Sequence, residues 1–288
     1  MNAKVVMVQG TSSGAGKSTI VIALCRIFSN MGYKVSPFKA QNMSSKIHII
    51  SNVHRISKIQ AIQAFAARKE LEWQINPILL VPLGNNKSNV FVAGKFLEEM
   101  SAIKYYQEFV LAKGFPIVLD AVNKLKNEND IIIIEGAGSP AEINIAKYDI
   151  ANMLLAEAIN SRVILVSDIE RGGCFASIFG TIKLLKIKHQ RLIKGFIINK
   201  FRGDENILEE GIRFIEYRTK VNNIGIIPKF EFFLPPEDSL DGTNNDNLKN
   251  LKKFSSKKKM NEQIDLLAAT IGSRINVDFI LQHVLKIG

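Results

Sequence analysis

Apolar runs with strand character recur along the chain at Val5–Val8, Val35–Phe38, Ile131–Ile134, Val163–Val166, Phe196–Ile198 and Ile224–Ile227. They are short, rich in Val and Ile, and do not alternate with polar residues, which is the pattern of strands buried on both faces of a parallel sheet. Helical spacing fills most of the intervals: Ser18–Met31, Arg55–Trp73, Ser101–Lys126 (broken near Gly114 and Pro116), Asp149–Ile159, Phe175–Leu185 and Ile207–Thr219. This alternation predicts a doubly wound α/β domain with a mostly parallel sheet and its ligand at the carboxyl ends of the strands.

The pattern changes after Pro235-Pro236. Residues 241–262 are rich in Asn, Lys, Asp and Ser and read as a polar linker. Apolar periodicity returns from Ile264 to Lys286, which predicts two short helices separated near Asn276. The expected organisation is a large domain over 1–240, a linker over 241–262 and a helical tail over 263–288.

Composition adds boundaries. A length of 288 residues suffices for one large core. No apolar run approaches the roughly 20 residues of a membrane span. The first strand begins within a few residues of Met1, which leaves no space for a secretory signal, and Cys25 and Cys174 cannot form a disulfide framework. A cytoplasmic protein is expected. The net charge of +11, from 38 Lys+Arg against 27 Asp+Glu, raises nucleic acid as a partner. The excess is mainly lysine in a chain also rich in Ile and Asn, and its densest stretch, Lys249 to Lys259, falls in the polar linker. An anionic small molecule together with ATP accounts for it equally, so neither nucleic acid nor membrane is expected as a partner.

The strongest chemical signal is Gly10-Thr11-Ser12-Ser13-Gly14-Ala15-Gly16-Lys17-Ser18-Thr19, between the first strand and the first helix. Strand, glycine-rich turn and helix N-terminus form the setting of a P-loop, in which backbone N–H groups surround phosphate oxygens. The spacing is one residue longer than the usual pattern if Gly10 is the first glycine. Lys17 would reach the β/γ-phosphates and Ser18 would ligate Mg²⁺. Glu135, at the carboxyl end of Ile131–Ile134, stands where a second Mg²⁺ ligand is needed. Asn199 ends another strand, where an amide can read adenine or simply form a turn.

Several longer segments occur in a fixed order: Val8 to Ser13, Pro37-Phe38-Lys39-Ala40-Gln41-Asn42-Met43, Asn76 to Leu80, Glu135 to Asn144, Asp149 to Met153, Asp168-Ile169-Glu170-Arg171-Gly172-Gly173, and Ile197 to Asp204. Together, over roughly Lys4 to Leu240, they closely resemble the synthetase domain of the cobyric acid synthase family. The longer P-loop spacing is also that of this family and of its relative, dethiobiotin synthetase. The resemblance implies a P-loop NTPase-like fold and ATP-dependent amidation of peripheral carboxylates of adenosylcobyrinic acid a,c-diamide, in cobalamin biosynthesis. It implies ATP and Mg²⁺ as cofactors. Gly10, Thr11, Gly14, Gly16, Lys17, Ser18, Thr19 and Asn199 would hold the nucleotide, and Ser18 and Glu135 the metal. Lys39 matches a lysine near the transferred phosphate. Asp149, Asp168 and Arg171 are candidates for catalysis, and Gln41, Asn42 and Asn152 for the acceptor.

The chain departs from the family in three ways. Full-length members carry a glutamine amidotransferase domain, whereas here neither cysteine lies in a Gly-rich elbow and the stretch after Leu240 is too short for that domain. The tail from Gln263 to Leu281 nevertheless resembles the segment that follows the amidotransferase domain, as an internal deletion would produce. Ammonia would then come free or from a separate glutaminase subunit. Second, no Asp or Glu occurs between Lys17 and Arg68, and Arg55-Ile56-Ser57-Lys58-Ile59-Gln60 stands where the family has Glu-(Ile/Met)-Gly-Arg-Ala-Gln. Third, Leu80-Val81-Pro82 lacks a family lysine. The ATP half is thus intact and the acceptor half, over 44–60, is eroded. Two other classes compete: a non-catalytic nucleotide-binding descendant, and a ParA/MinD-like positioning ATPase, whose signature lysine is missing from Thr11 to Ala15. A homo-oligomer remains open.

Overall fold

The computed structural model describes residues 3–231 and 257–287. In chain order the strands are β1 (Lys4–Gly10), β2 (Val35–Phe38), β3 (Gln41–Met43), β4 (Ile47–Ile49), β5 (Arg55–Ser57), β6 (Ile78–Gly84), β7 (Lys87–Val92), β8 (Lys95–Ser101), β9 (Ile131–Glu135), β10 (Arg162–Asp168), β11 (Ile193–Phe201) and β12 (Asn222–Pro228). Six of them form one parallel sheet in the order β12-β11-β10-β1-β9-β2. Every apolar run singled out in the sequence lies in this sheet.

Alternate side chains of each strand feed two cores, which explains why the runs are apolar throughout. Val6, Val8, Ile131, Ile133, Ile164 and Val166 face α1 (Lys17–Asn30) and α2 (Lys58–Ala66). Met7, Ile132, Ile134, Leu165, Phe196 and Ile198 face the helices Phe115–Glu128, Met153–Ala158, Cys174–Leu184 and Glu209–Thr219.

The C-terminal tail belongs to the α1 side. Its helix Lys257–Gly272 buries Ile264, Leu267, Ala268 and Ile271, and all but Ala268 join the α1 core. Arg26 of α1 is 1% exposed and reaches across to Asn261 Oδ1 at 2.8 Å and Asp265 Oδ1 at 3.3 Å. Beyond it, Asn276 caps a short helical segment by accepting from Phe279 N, and Gly225 of β12 pairs with Ile275. The two-part tail with a break at Asn276 is present, but its first helix starts at Lys257, inside the stretch that composition assigns to the linker. The rest of that stretch, 241–256, lies outside the described residues.

Three sequence expectations are corrected. The helix over Arg55–Trp73 is only Lys58–Ala66, because Arg55–Ser57 pairs with β4 as an antiparallel ribbon and Arg68, at φ 55°, turns the chain away. The helical stretch near Gly114 and Pro116 is not broken. It runs from Ala102–Lys104 through wide π-type turns over Tyr105–Gly114 into Phe115–Glu128, and Pro116 lies just past the junction of the π-type turns with the α-helix. Finally, residues 78–101 form an antiparallel meander β6-β7-β8 with β3 parallel to β6, a second sheet that the sequence did not suggest.

Candidate nucleotide and metal site

β1 delivers the chain to Gly10 beside Val166 of β10, while Val8 pairs with Glu135 of β9. The loop between β1 and α1 therefore opens between two strand ends, and α1 begins at Lys17. Gly16 sits at φ 103° with Asn199 pressed against it: a Cβ there would come within 2.1 Å of Asn199 Nδ2. Both the left-handed backbone and the close approach require glycine.

Four of the sequence-selected residues meet at this mouth. Glu135 is fully buried, and its Oε1 accepts from Ser18 Oγ at 2.9 Å and Lys39 Nζ at 2.7 Å. Lys17 Nζ donates to the carbonyls of Ser12 (3.0 Å) and Gly138 (3.1 Å), spanning the loop where phosphates would lie. Ser18 and Lys39 are themselves buried at 8% and 3% exposure, so the cluster is shielded from water and its charges act at short range.

A second group braces the loop from the β10–β11 side. Asn199 Nδ2 donates to the Ala15 carbonyl at 2.8 Å, and its Oδ1 accepts from Lys200 N. Lys200 Nζ donates to the Gly14 carbonyl (2.8 Å) and to Asp168 Oδ2 (2.7 Å). Thr11 shares a hydrogen bond with Ser167 at 3.0 Å, and Thr19 is half-buried in the first turn of α1. Arg171 is exposed on the turn after β10, away from the Glu135 cluster's contacts.

A third group holds the turn after β9. Asn152 donates to the Ala137 carbonyl at 2.6 Å and accepts from Ala137 N at 3.2 Å, and Gly136 leaves space for it, since a Cβ would lie 2.3 Å from Asn152 Oδ1. Asp149 Oδ1 accepts from Asn152 N and Nδ2 at 3.0 and 3.1 Å. Burial outweighs these bonds and raises the Asp149 pKa to about 6.

Along β3, Gln41 accepts from Tyr105 Oη at 2.7 Å and Asn42 is buried, donating to Gln60 Oε1 at 2.8 Å. Met43 continues β3 to the rim of a recess of about 240 Å³, lined by Leu80, Val90, Met100, Tyr105 and Tyr106 among others. Three site residues escaped the sequence reading. Gln63 Nε2 donates to Glu135 Oε2, Gln60 Nε2 donates to Gln63 Oε1, and Lys200 grips Gly14. The signal for the glutamines was present: Gln60 and Gln63 lie three apart on one face of an otherwise Ile/Ala/Phe helix.

The donor set suits Mg²⁺. Ser18 and Glu135 offer a hydroxyl and a carboxylate within 2.9 Å of each other, and no group of three or more His, Cys, Asp or Glu able to hold a metal occurs among the described residues. Mg²⁺ takes one or two protein oxygens and completes its shell with phosphates and water, unlike metals that need an all-protein cage. Neither thiol is an activated nucleophile: burial raises the pKa of Cys25, helped by Glu135, and burial raises that of Cys174. No helix among the described residues is long and apolar enough to cross a membrane.

The model of the CobQ/CobB/MinD/ParA nucleotide binding domain matches residues 6–234. The chain belongs to this family. Its relatives include the probable cobyric acid synthase of Thermococcus kodakarensis, 49% identical over 240 residues that cover 82% of this chain and 49% of that protein. The cobyric acid synthases of Limosilactobacillus reuteri and Desulfitobacterium hafniense are 46% and 44% identical, over 83% and 82% of this chain and 48% and 46% of theirs. The chain thus spans about half the length of these relatives. Among solved structures it is similar to the septum site-determining protein MinD of Pyrococcus horikoshii, complexed with Mg-ADP (TM-score 0.46, 16% identity, 94% of this chain and 96% of that one). It is also similar to the signal recognition particle receptor FtsY of Elizabethkingia anophelis, in complex with GDP (TM-score 0.47, 14% identity, 80% and 58% covered).

Proposed function

We propose that this chain is the ATP-dependent amidoligase portion of a cobyric acid synthase, acting on peripheral carboxylates of adenosylcobyrinic acid a,c-diamide. The observation that carries the reading is the buried cluster of Ser18, Lys39 and Glu135 beside Lys17, at the end of a P-loop. A carboxylate is a poor acyl donor. Its oxygen attacks the γ-phosphorus of ATP, the bond to the β,γ-bridging oxygen breaks, and ADP leaves. Ammonia then attacks the acyl phosphate carbon, inorganic phosphate departs with the carbon–oxygen electron pair, and one ammonia proton passes to phosphate or water.

Lys17 and Lys39 bring positive charge to the oxygens on which charge gathers during transfer. Ser18 and Glu135 would hold a Mg²⁺ ion, which would supply positive charge against that of the phosphates. Asn199, held by the Ala15 carbonyl and Lys200 N, would meet the base. Asp149 and Asn152 keep the 136–138 turn in position, while Gln41, Asn42 and the recess beyond Met43 form the acceptor side. Asp168 acts through Lys200 on the loop, and exposed Arg171 is left for the outer acceptor. Ammonia is supplied free or by a separate glutaminase.

The test is ADP formation by the purified chain with ATP, Mg²⁺ and ammonium, with and without the a,c-diamide corrinoid. Corrinoid-dependent ADP release with stepwise mass loss of the amidated product supports the reading. ATP binding without any corrinoid-dependent turnover supports a non-catalytic descendant instead.

A further inference from the structure

We infer that Gln63 is a positioning residue for Glu135 and the last link of a buried amide relay that begins at Asn42. The inference rests on the reading of Glu135 as the metal-side carboxylate.

Glu135 has no contact with solvent, and its two oxygens are differently employed. Oε1 faces Ser18 and Lys39, and Oε2 receives the amide of Gln63. A carboxylate held through one oxygen can turn about its side-chain torsions. A donor on the other oxygen fixes its plane, so that Oε1 stays aimed at the Ser18 hydroxyl. The orientation of the Gln63 amide is itself set, because its Oε1 accepts from Gln60 Nε2 at 3.4 Å. Gln60 Oε1 in turn accepts from Asn42 Nδ2 at 2.8 Å. Each amide therefore uses one end to receive its orientation and the other to pass it on.

The composition of α2 argues against simple space-filling. The sequence Lys58-Ile59-Gln60-Ala61-Ile62-Gln63-Ala64-Phe65-Ala66 puts both glutamines at 0% exposure. Burying an amide costs free energy unless its donors and acceptors are matched, and a Leu or Met would fill the volume without that demand. The relay also spans two functional segments. Asn42 lies in β3, three residues beyond Lys39, on the strand that leads to the acceptor-side recess. A change in β3 thus reaches Glu135 through side-chain hydrogen bonds as well as through Lys39.

The experiment measures equilibrium binding of a fluorescent ATP analogue as Mg²⁺ is titrated, with no turnover needed. Outer-sphere partners of a metal ligand are worth about 10- to 100-fold in metal affinity. Gln63→Leu is expected to raise the half-saturating Mg²⁺ concentration about tenfold, with analogue affinity in excess EDTA unchanged, and Gln60→Leu to give a smaller shift in the same direction. A merely structural role would lower thermal stability and leave the Mg²⁺ dependence where it was. Gln63→Met serves as a second shape, and if both Gln63 variants fail to fold, Gln60→Leu decides alone. Glu135→Gln is the reference. A shift with Glu135→Gln but none with the Gln63 and Gln60 variants overturns the relay alone. No shift in any variant overturns both the relay and the metal-side reading of Glu135.

Discussion

Lys39 and Glu135 form an ion pair of 2.7 Å in which neither side chain is more than 4% exposed. The pair joins the end of β2 to the end of β9, neighbouring strands of the sheet, and it lies next to the hydroxyl of Ser18. Two buried charges are costly to desolvate, and their attraction offsets that cost only while both are present. Lys39→Met is therefore expected to lower stability by about 3–5 kcal/mol, the range for removing one partner of a buried pair. The double variant Lys39→Met/Glu135→Gln should recover part of that loss, because no charge is then left behind. Thermal unfolding of the four proteins of this cycle measures it. Equal stability of the single and double variants would mean that the pair does not hold the fold.

Lys17 Nζ donates to the loop carbonyls of Ser12 and Gly138 from the first turn of α1. Lys17→Ala should leave the melting temperature within a few degrees and weaken ATP binding about 10- to 100-fold, the worth of one or two hydrogen bonds from a charged donor. Calorimetric titration with ATP checks both halves. A folded variant that binds ATP as the parent does would refute the P-loop role.

Much of this was legible in the sequence because it depends on local pattern. The six apolar runs mark the sheet, since only strands covered on both faces lack polar alternation, and the glycines mark the loop. The meander over residues 78–101 escaped because its faces are mixed: Leu83, Phe96 and Leu97 are exposed, while Asn89 is only partly buried. Gln63 escaped for a different reason. Its importance arises from a contact with a residue 72 positions away, which the spacing of two glutamines on one helix face cannot name. The ribbon that replaces the first turn of the expected α2 depends likewise on pairing of Arg55–Ser57 with Ile47–Ile49, which propensity cannot reveal.

The two cysteines give a prediction about ammonia. Both thiols are buried and held protonated, so glutamine should be inert toward the isolated chain while ammonium supports corrinoid-dependent turnover. Release of glutamate from glutamine by the purified chain would contradict it.

Asp149 supplies a pH dependence of stability. Its pKa rises from 3.8 unfolded to about 6 folded, chiefly through burial. The folded state therefore takes up the proton first, and this group favours folding as pH falls from about 6 to about 4, whereas above pH 6 its ionisation is a cost. Asp149→Asn can still accept the hydrogen bonds of Ala151 and Asn152 without that cost. Its melting temperature relative to the parent should be highest above pH 6 and decline toward pH 4. A difference that stays flat across this window would show that Asp149 ionises freely.

The seating of helix Lys257–Gly272 on α1 has a consequence for how the protein can be divided. The residues that match the family end at 234, and a minimal fragment cut there would appear complete by homology. Such a fragment would lack Ile264, Leu267 and Ile271 over the outer side of α1, along with Asn261 and Asp265, the side-chain partners of Arg26 in the tail. The first helix carries Lys17 and Ser18 at its front end, so a loosened α1 would disturb the phosphate loop without any change to a loop residue. The folding unit therefore takes in Lys257–Gly272 as well as the residues that match the family.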